Sequence, residues 1–357
     1  MAAPEFHELT VDDVTPLTAD AVAVSFSVPE SLADTFCYLP GQHVTLRAEI
    51  DGADVRRSYS ICANANRGTL RVGIKHLEGG AFSTFANRRL RAGDRLDVMP
   101  PTGEFTITPV AGRARHYGAI VAGSGITPVL SLISTVLETE PASTFTLMFG
   151  NRESRSIMFL EELEGVKDRY PDRFHLIHVL SREPSAVPLF TGRVDAAKVE
   201  ELLDSIVDAD TVDAWYLCGP YGMVEDARKV LTARGIAEDR INDELFFSEP
   251  LPEPPPAQAP EDQSGFASVV FTLDGRASRV AVDPDGPPIL DYALQVRREV
   301  PFSCRGGMCT TCKANVDEGS AVLDQNWALT QEELDAGFIL TCQAHPTTDT
   351  LEISYDV

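Results

Sequence analysis

Three textures of hydrophobic and polar positions follow one another along the chain. Up to about residue 105, short runs alternate apolar and polar side chains: AVAVSFSV, HVTLRAEI and TLRVGIK, separated by turn residues. Period-two alternation sends every second side chain to one face of a strand, so a series of such runs predicts an antiparallel β-barrel. From about 114 to 247, the apolar runs YGAIVAG, TFTLMFG, FHLIHVLS and AWYLCG are nearly continuous, with helical spacing between them in PVLSLISTVLE, MFLEELEGVKDRY, AAKVEELLD and MVEDARKVLTARG. Strands buried on both faces and alternating with helices predict an α/β parallel sheet, with AWYLCG as its last strand. In the third texture FASVVFTLDGRASRVAV alternates about Asp274–Gly275, which predicts a hairpin, and ILDYALQVRREV has helical spacing.

The boundaries follow from these changes of texture. A multidomain chain is expected: a barrel over 1–108, an α/β domain over 109–247, a Pro-rich linker over 248–264 and a compact unit over 265–357. The linker is dominated by Pro, Glu and Ala, a composition that gives a semi-extended tether without a core. No internal repeat is present.

Composition narrows the function classes. Across 357 residues the hydrophobic fraction is 43%, enough for ordinary cores, and no run approaches the ~18 apolar residues of a membrane span. The acidic start MAAPEFHELT has neither the basic nor the apolar region of a secretion signal. A net charge of −24 argues against nucleic acid and anionic membrane as partners, because binding phosphate needs clustered Lys and Arg. Seven cysteines, an odd number, fit a reducing cytoplasm better than a disulfide framework. Cys37 and Cys62 read as buried small residues.

Four of the cysteines carry the strongest chemical signal. Cys304, Cys309 and Cys312 stand in CRGGMCTTC, a C-x4-C-x2-C run, and Cys342 follows at a distance. This is the plant-type spacing for a [2Fe–2S] cluster, and the N–H groups of Arg305, Gly306 and Gly307 can aim at sulfur. Structural zinc, the alternative, favours two short Cys pairs, and only one is present.

Upstream motifs are individually weaker. Arg57–Ser58–Tyr59–Ser60 ends a barrel strand: the Arg can pair with a pyrophosphate and the Tyr can lie against a flat ring, or the Tyr is simply a barrel residue. Gly80–Ala81–Phe82–Ser83 opens a predicted helix, where free N–H groups and a hydroxyl can cradle phosphate; a capped Gly-Gly turn is the alternative. Gly123–Ser124–Gly125 and Thr127 end a buried strand and begin a helix in the pattern G-x-G-x-x-P, which departs from the G-x-G-x-x-G dinucleotide fingerprint. Cys218–Gly219–Pro220 ends a strand at the carboxyl edge, where open α/β sheets place ligands, although Cys218 can equally be a core residue. His43, His76 and His345 stand isolated and read as structural or surface residues. His175 and His178 lie three apart on a predicted strand, on opposite faces, and are poor joint metal ligands.

In this order the pieces resemble the ferredoxin-reductase family of flavoproteins over residues 1–247, with Glu244–Leu245–Phe246 similar to its closing E-x-F; the remainder resembles plant-type ferredoxin, a β-grasp (α+β) fold. The resemblance implies FAD, a nicotinamide nucleotide and a [2Fe–2S] cluster held by Cys304, Cys309, Cys312 and Cys342. It implies that Arg57 neutralises FAD phosphate, that Ser58 belongs to the same cofactor-binding run, that Tyr59 packs on the flavin and that Ser60 bonds near its N5. Gly80, Ala81, Phe82 and Ser83 would hold the pyrophosphate, and Gly123, Ser124, Gly125 and Thr127 the nucleotide. Cys218, with Gly219 and Pro220, would border the nicotinamide, and Phe246 would cover the flavin. Cys218, Ser60 and Glu244 are the candidate catalytic residues; Glu244 stabilises charge or caps the end of the fold. A hydride would then enter FAD as two electrons, which leave singly through the cluster. Arg152, Ser181 and Arg182 resemble a site for a 2′-phosphate, which favours NADPH, with NADH as the alternative.

Within this family, RRSYSICA, LRVGIKHLEGGAFSTFAN, LDVMPPTGEF, FGNRESRSIMFLEEL and Asn326–Trp327–Ala328–Leu329 resemble the reductase components of oxygenases that epoxidise the ring of phenylacetyl-CoA. That implies a diiron oxygenase as partner. Trp327 stands where Tyr is usual; the alternative for this stretch is a hydrophobic plug beneath the cluster loop, where either ring could serve. The alternative is the reductase of a 3-ketosteroid 9α-hydroxylase, which uses NADH and feeds a Rieske oxygenase.

Overall fold

In the computed structural model, residues 5–246 and 265–356 are described. The Pro-rich linker expected over 248–264 lies outside the described residues. The chain divides into two compact units, one built on residues 7–55 and 59–246 and the other carrying residues 265–356.

The first unit begins with strands β1 (His7–Thr18), β2 (Ala21–Ser27), β3 (His43–Ile50), β4 (Ala53–Ser60), β5 (Leu70–Lys75) and, after helix α1 (Ala81–Arg88), β6 (Arg95–Val98). They form a sheet in the order β4-β3-β6-β1-β2-β5, and just past β4 Ile61 bridges Val72 of β5, which closes the strands into a barrel. Alternation does what the sequence implies: Val24, Val44, Leu46, Val72 and Ile74 are fully buried inside. β1 is harder to read, because HELTVDDVTPLT is mostly polar; Leu9 and Val11 are its two buried anchors. Helix α1 turns Phe82 and Ala86, one turn apart, onto the barrel core.

The parallel sheet follows as β7 (His116–Ala122), β8 (Thr144–Asn151), β9 (Phe174–Leu180), β10 (Ala214–Gly219) and β11 (Ile241–Leu245), ordered β11-β10-β7-β8-β9. Helices α2 (Ile126–Thr139), α3 (Leu160–Arg169), α4 (Ala196–Ser205) and α5 (Tyr221–Ala233) connect them. AWYLCG is therefore not the last strand: β11 adds beside it in parallel register, Cys218 opposite Glu244. The reason it escapes the apolar pattern is positional. INDEL forms the sheet edge, so its polar side chains need not be buried.

Where the barrel's last segment leads into β7, the fully buried Glu140 carboxylate accepts hydrogen bonds from the Val110 N–H (2.9 Å), the Tyr117 hydroxyl (3.1 Å) and the Ser143 hydroxyl (2.7 Å). Arg113 supplies positive charge 3.4 Å away. A buried carboxylate stripped of such partners costs about 3–5 kcal/mol, so this network fastens the 108–113 connection to the end of α2.

The second unit contains β12 (Ala267–Leu273), β13 (Arg276–Val282), α6 (Ile289–Val296), β14 (Lys313–Glu318), β15 (Ala321–Leu323), α7 (Gln331–Asp335), β16 (Phe338–Leu340), β17 (Ala344–Pro346) and β18 (Thr350–Ser354). Its main sheet runs β13-β12-β18-β14-β16, with β12 and β18 parallel, and β15 pairs with β17. The predicted hairpin turns at Asp274 and Gly275, both left-handed (φ 52° and 68°), the pair that matches strand twist in a two-residue turn. Helix α6 buries Ile289, Leu290, Tyr292 and Ala293 against the sheet, giving the helix-on-mixed-sheet layout of a β-grasp fold.

Candidate functional site

The cysteine loop lies between α6 and β14, and Cys342 lies in the turn between β16 and β17. Two links hold these segments together. The Thr341 N–H (3.2 Å) and hydroxyl (3.1 Å) both donate to the Cys312 carbonyl, and the Tyr355 hydroxyl donates to Thr341 (3.1 Å). The thiols approach in two pairs: Cys309 Sγ is 3.2 Å from Cys304 Sγ, and the Cys312 thiol hydrogen-bonds to Cys342. Two thiols per iron is the donor set of a [2Fe–2S] cluster, so the residues fit the group.

Backbone N–H groups converge on the sulfurs as the loop sequence implies. Gly306 donates to Cys304 Sγ at 3.4 Å, and Gly307 donates to Cys342. The hydrogen bond from Cys312 and then that from Gly307 hold the Cys342 thiol below its ordinary range, against the opposing effect of burial. Gly307 (φ 72°) has the Gln325 carbonyl 2.9 Å from where a Cβ would stand, so a side chain there would break the loop. Arg305, itself left-handed (φ 56°), pairs with Asp291 at 2.6 Å. Trp327 is 39% exposed, which does not suit the plug alternative; its backbone N–H donates to the Gly307 carbonyl, and its indole N–H reaches Gln325 at 3.0 Å.

Arg57, Ser58, Tyr59 and Ser60 form the C-terminal half of β4. The Tyr59 ring lies 5.6 Å from Phe82 of α1. Gly80 is the N-cap of α1, and the first N–H groups of any helix lack intrahelical partners, so the turn through Ala81 and Phe82 offers donors to phosphate. Ser83 points its hydroxyl elsewhere: it accepts from the Leu77 N–H (3.1 Å) and donates to the Gly80 carbonyl (3.2 Å), bracing the turn.

At the sheet's carboxyl edge, Gly123–Gly125 form a short 3-10 turn that runs into α2, and the Thr127 hydroxyl donates to the Ser124 carbonyl at 3.0 Å. A Cβ on Gly125 would meet the Cys218 carbonyl at 2.2 Å; only glycine lets this turn pass so close to the end of β10. Cys218 is fully buried, and burial, then the Glu244 charge, raises its thiol well above the ordinary range, so it is a neutral wall. Pro220 caps α5, and the Phe246 N–H donates to the Gly219 carbonyl at 2.9 Å. Farther along the edge, Ser181 and Arg182 donate their N–H groups to the Asn151 and Arg152 carbonyls (2.9 and 2.8 Å), which brings the ends of β8 and β9 together. Of the other cysteines, Cys62 is buried as expected, but Cys37 is exposed, because it sits in an irregular segment outside the strands.

The structure gathers Ser60, Cys218 and Glu244, which are far apart in sequence. The Ser60 hydroxyl donates to Glu244 Oε2 at 3.3 Å, and Glu244 lies beside Cys218 in register. It also adds a residue that the sequence left isolated. His43, the first residue of β3, is buried and lies with Nδ1 3.9 Å from Glu244 Oε1. No local spacing could have signalled this, since β3 and β11 meet only in the folded chain.

Three family models match in order: an oxidoreductase FAD-binding domain over residues 8–107, an oxidoreductase NAD-binding domain over 119–229, and a 2Fe-2S iron-sulfur cluster binding domain over 271–347. One of the subunits of 1,2-phenylacetyl-CoA epoxidase from Escherichia coli K12 is 40% identical over 98% of each chain. The chain belongs to the family of oxygenase-reductase iron–sulfur flavoproteins. The ferredoxin reductase component of 3-ketosteroid-9-alpha-monooxygenase from Rhodococcus rhodochrous is 32% identical over 97% of this chain and 96% of its own. Phthalate dioxygenase reductase shares the fold (TM-score 0.55, 18% identity, 98% of each chain). This reductase is thus an NAD(P)H-dependent electron-transfer oxidoreductase with FAD and [2Fe–2S] as its redox groups, and its curated relatives serve oxygenases. Among the described residues no helix is long and apolar enough to cross a membrane.

Proposed function

We propose that this reductase takes electrons from NADPH and delivers them, in the cytoplasm, to the diiron oxygenase subunits of a complex that epoxidises the ring of phenylacetyl-CoA. The observation that carries this reading is the full-length relationship to the epoxidase component, 40% identity against 32% for the steroid-monooxygenase component. When bound, FAD exchanges a two-electron hydride for single electrons passed to the cluster. The protein's own residues bind, orient and exclude water around that exchange. Arg57 and the α1 N-terminus counter phosphate charge, Tyr59 offers an aromatic face, and Cys218 and Phe246 enclose the nicotinamide side. The two thiol pairs hold the cluster. Arg152, Ser181 and Arg182 supply the polar and cationic groups a 2′-phosphate requires, which supports NADPH.

The test is reconstitution with the diiron oxygenase and phenylacetyl-CoA, with NADPH and NADH compared and epoxide measured. Coupled product formation with NADPH faster than with NADH is expected. No epoxide with either nucleotide, together with coupling to a steroid hydroxylase, would transfer the chain to the second branch of the family.

A further inference from the structure

Phe159 stands in a backbone conformation that its side chain does not favour. It is the N-cap of α3, with φ 58° and ψ 28°, in the left-handed region where a bulky side chain is an outlier. Its ring is buried all the same, and its neighbours show what holds it there. On barrel strand β5, a Cβ on Gly73 would stand 3.0 Å from two ring carbons of Phe159 and 2.7 Å from the Thr127 methyl. The strand, the ring and the first turn of α2 therefore meet with no spare room. Two residues earlier on β5, Arg71 lies 5.3 Å over the same ring. Its Nη1 donates to both carboxylate oxygens of Glu162 (2.9 and 3.0 Å), in the first turn of α3. Small side chains line the same wall of the barrel: Ala21, Ala23 and Cys62 are buried in one core with Ile126, Val129 and Phe159.

The contact matters because of what it seats. Just past Tyr59 and Ser60 the chain is fastened to α2: the Ser131 hydroxyl donates to the Ala63 carbonyl (2.6 Å), and the Ala65 N–H donates to the Thr135 hydroxyl (3.0 Å). These bonds fix the middle of α2 to the barrel. The start of α2, where the Gly123–Thr127 turn lies, is seated by Phe159 and Gly73 instead. Hydride leaves the nicotinamide with both electrons, giving NAD(P)⁺ and a two-electron-reduced flavin, and needs the reacting atoms about 3–3.5 Å apart. A misplacement of about 1 Å, set far from the chemistry, slows such a step by roughly a hundredfold. We propose that Phe159, clamped by Arg71 and Glu162, is a positioning residue for hydride transfer: its ring sets the gap between β5 and the nucleotide turn, and so the distance from nicotinamide to flavin. Left-handed strain persists at this position because a glycine, which would remove it, would leave the gap unfilled. The placement rests on reading Gly123–Thr127 as the nucleotide turn, and is independent of which oxygenase is served.

The full-length protein loaded with FAD and cluster tests it, with NADPH and NADH run in parallel. Stopped-flow flavin reduction gives the limiting rate and the nucleotide Kd, and urea unfolding gives stability, for wild type, Phe159→Ala, Phe159→Gly, Phe159→Leu and Gly73→Ala. Phe159→Ala and Phe159→Gly should retain flavin and slow the limiting rate roughly tenfold, with Kd moving less than about threefold. Glycine relieves the left-handed strain that alanine keeps, so Phe159→Gly should unfold at higher urea than Phe159→Ala while staying equally slow. Phe159→Leu, which refills most of the gap, should recover most of the rate. Gly73→Ala, which widens the gap from the barrel side, should slow reduction as well. A merely structural residue behaves otherwise: the rate would follow stability and return in Phe159→Gly, and that result overturns the proposal. Slowing that appears wholly as a weaker Kd overturns it too. So does a wild-type limiting rate in Gly73→Ala, a measurement that needs no Phe159 variant to fold. Failure of the nucleotide-turn reading looks different: Gly123→Ala, whose Cβ would meet open space, would then leave Kd unchanged.

Discussion

The cysteine loop and the pocket around Glu244 solve the same problem, controlling charge away from water, by opposite constructions. Cys304, Cys309 and Cys312 come from one loop, and the N–H groups that face sulfur come from Gly306 and Gly307 in the same loop. The pocket takes His43, Ser60, Cys218 and Glu244 from four strands, joined by sheet register and one 3.3 Å hydrogen bond. The loop therefore depends on local backbone geometry, in which single glycines are decisive, and the pocket depends on the packing of the strands that carry it. A change in the loop should act on one cofactor; a change in pocket packing should act on charge, potential and stability together.

Replacing Cys312 with Ser gives the largest effect. Iron and sulfide content should fall below about a tenth of wild type, and delivery to a one-electron acceptor roughly a hundredfold, while flavin reduction by nucleotide persists. Full cluster content in that variant would break the contrast. Glu244→Gln comes next: removing the charge while keeping the shape should slow hydride uptake roughly tenfold to a hundredfold in single-turnover absorbance, with the cluster intact. An unaltered rate would place Glu244 with the fold instead of the chemistry.

Gly125→Ala sharpens the packing half of the comparison. Its new methyl would meet the Cys218 carbonyl, and a stability loss of about 1–3 kcal/mol is expected in urea unfolding followed by flavin signal, without loss of cluster. Thiol chemistry gives the smallest effect. Burial pushes the Cys62 thiol up to about 12, whereas Cys37 is exposed. In the cluster-loaded protein an aromatic disulfide reagent at about pH 8.5 should modify Cys37 promptly and leave Cys62 and Cys218 until unfolding. The sign of the stability effect follows: a thiol pKa raised by folding leaves stability intact below the unfolded value of about 8.5 and lowers it as pH climbs toward 12. Cys62→Ala should flatten that alkaline decline in the unfolding midpoint.

Much of the fold was legible because its signals are periodic and local. Period-two runs marked β2, β3 and β5, continuous apolar runs marked β7 to β10, and Asp274–Gly275 marked a hairpin whose two left-handed residues match the turn. β1 and β11 were not legible. A barrel strand can bury as little as Leu9 and Val11, and an edge strand such as INDEL can stay polar, so neither declares itself by hydrophobicity. Burial of Cys37, and the plug alternative for Trp327, failed for a related reason: exposure depends on what packs nearby, which residue type does not state.

By itself, the sequence determined the carrier set: four cysteines at cluster spacing and an ordered series of flavin and nucleotide motifs, all written in short contiguous stretches where backbone geometry is set by neighbours. Only the tertiary structure decided the pocket's electrostatics. Parallel register puts Glu244 beside Cys218, barrel closure puts Ser60 within hydrogen-bonding distance of it, and the start of β3 brings in His43. Coulombic coupling acts over a few ångströms in space and is blind to separation along the chain, so a histidine 201 positions from its carboxylate partner (43 to 244) becomes visible only once the strands are assembled.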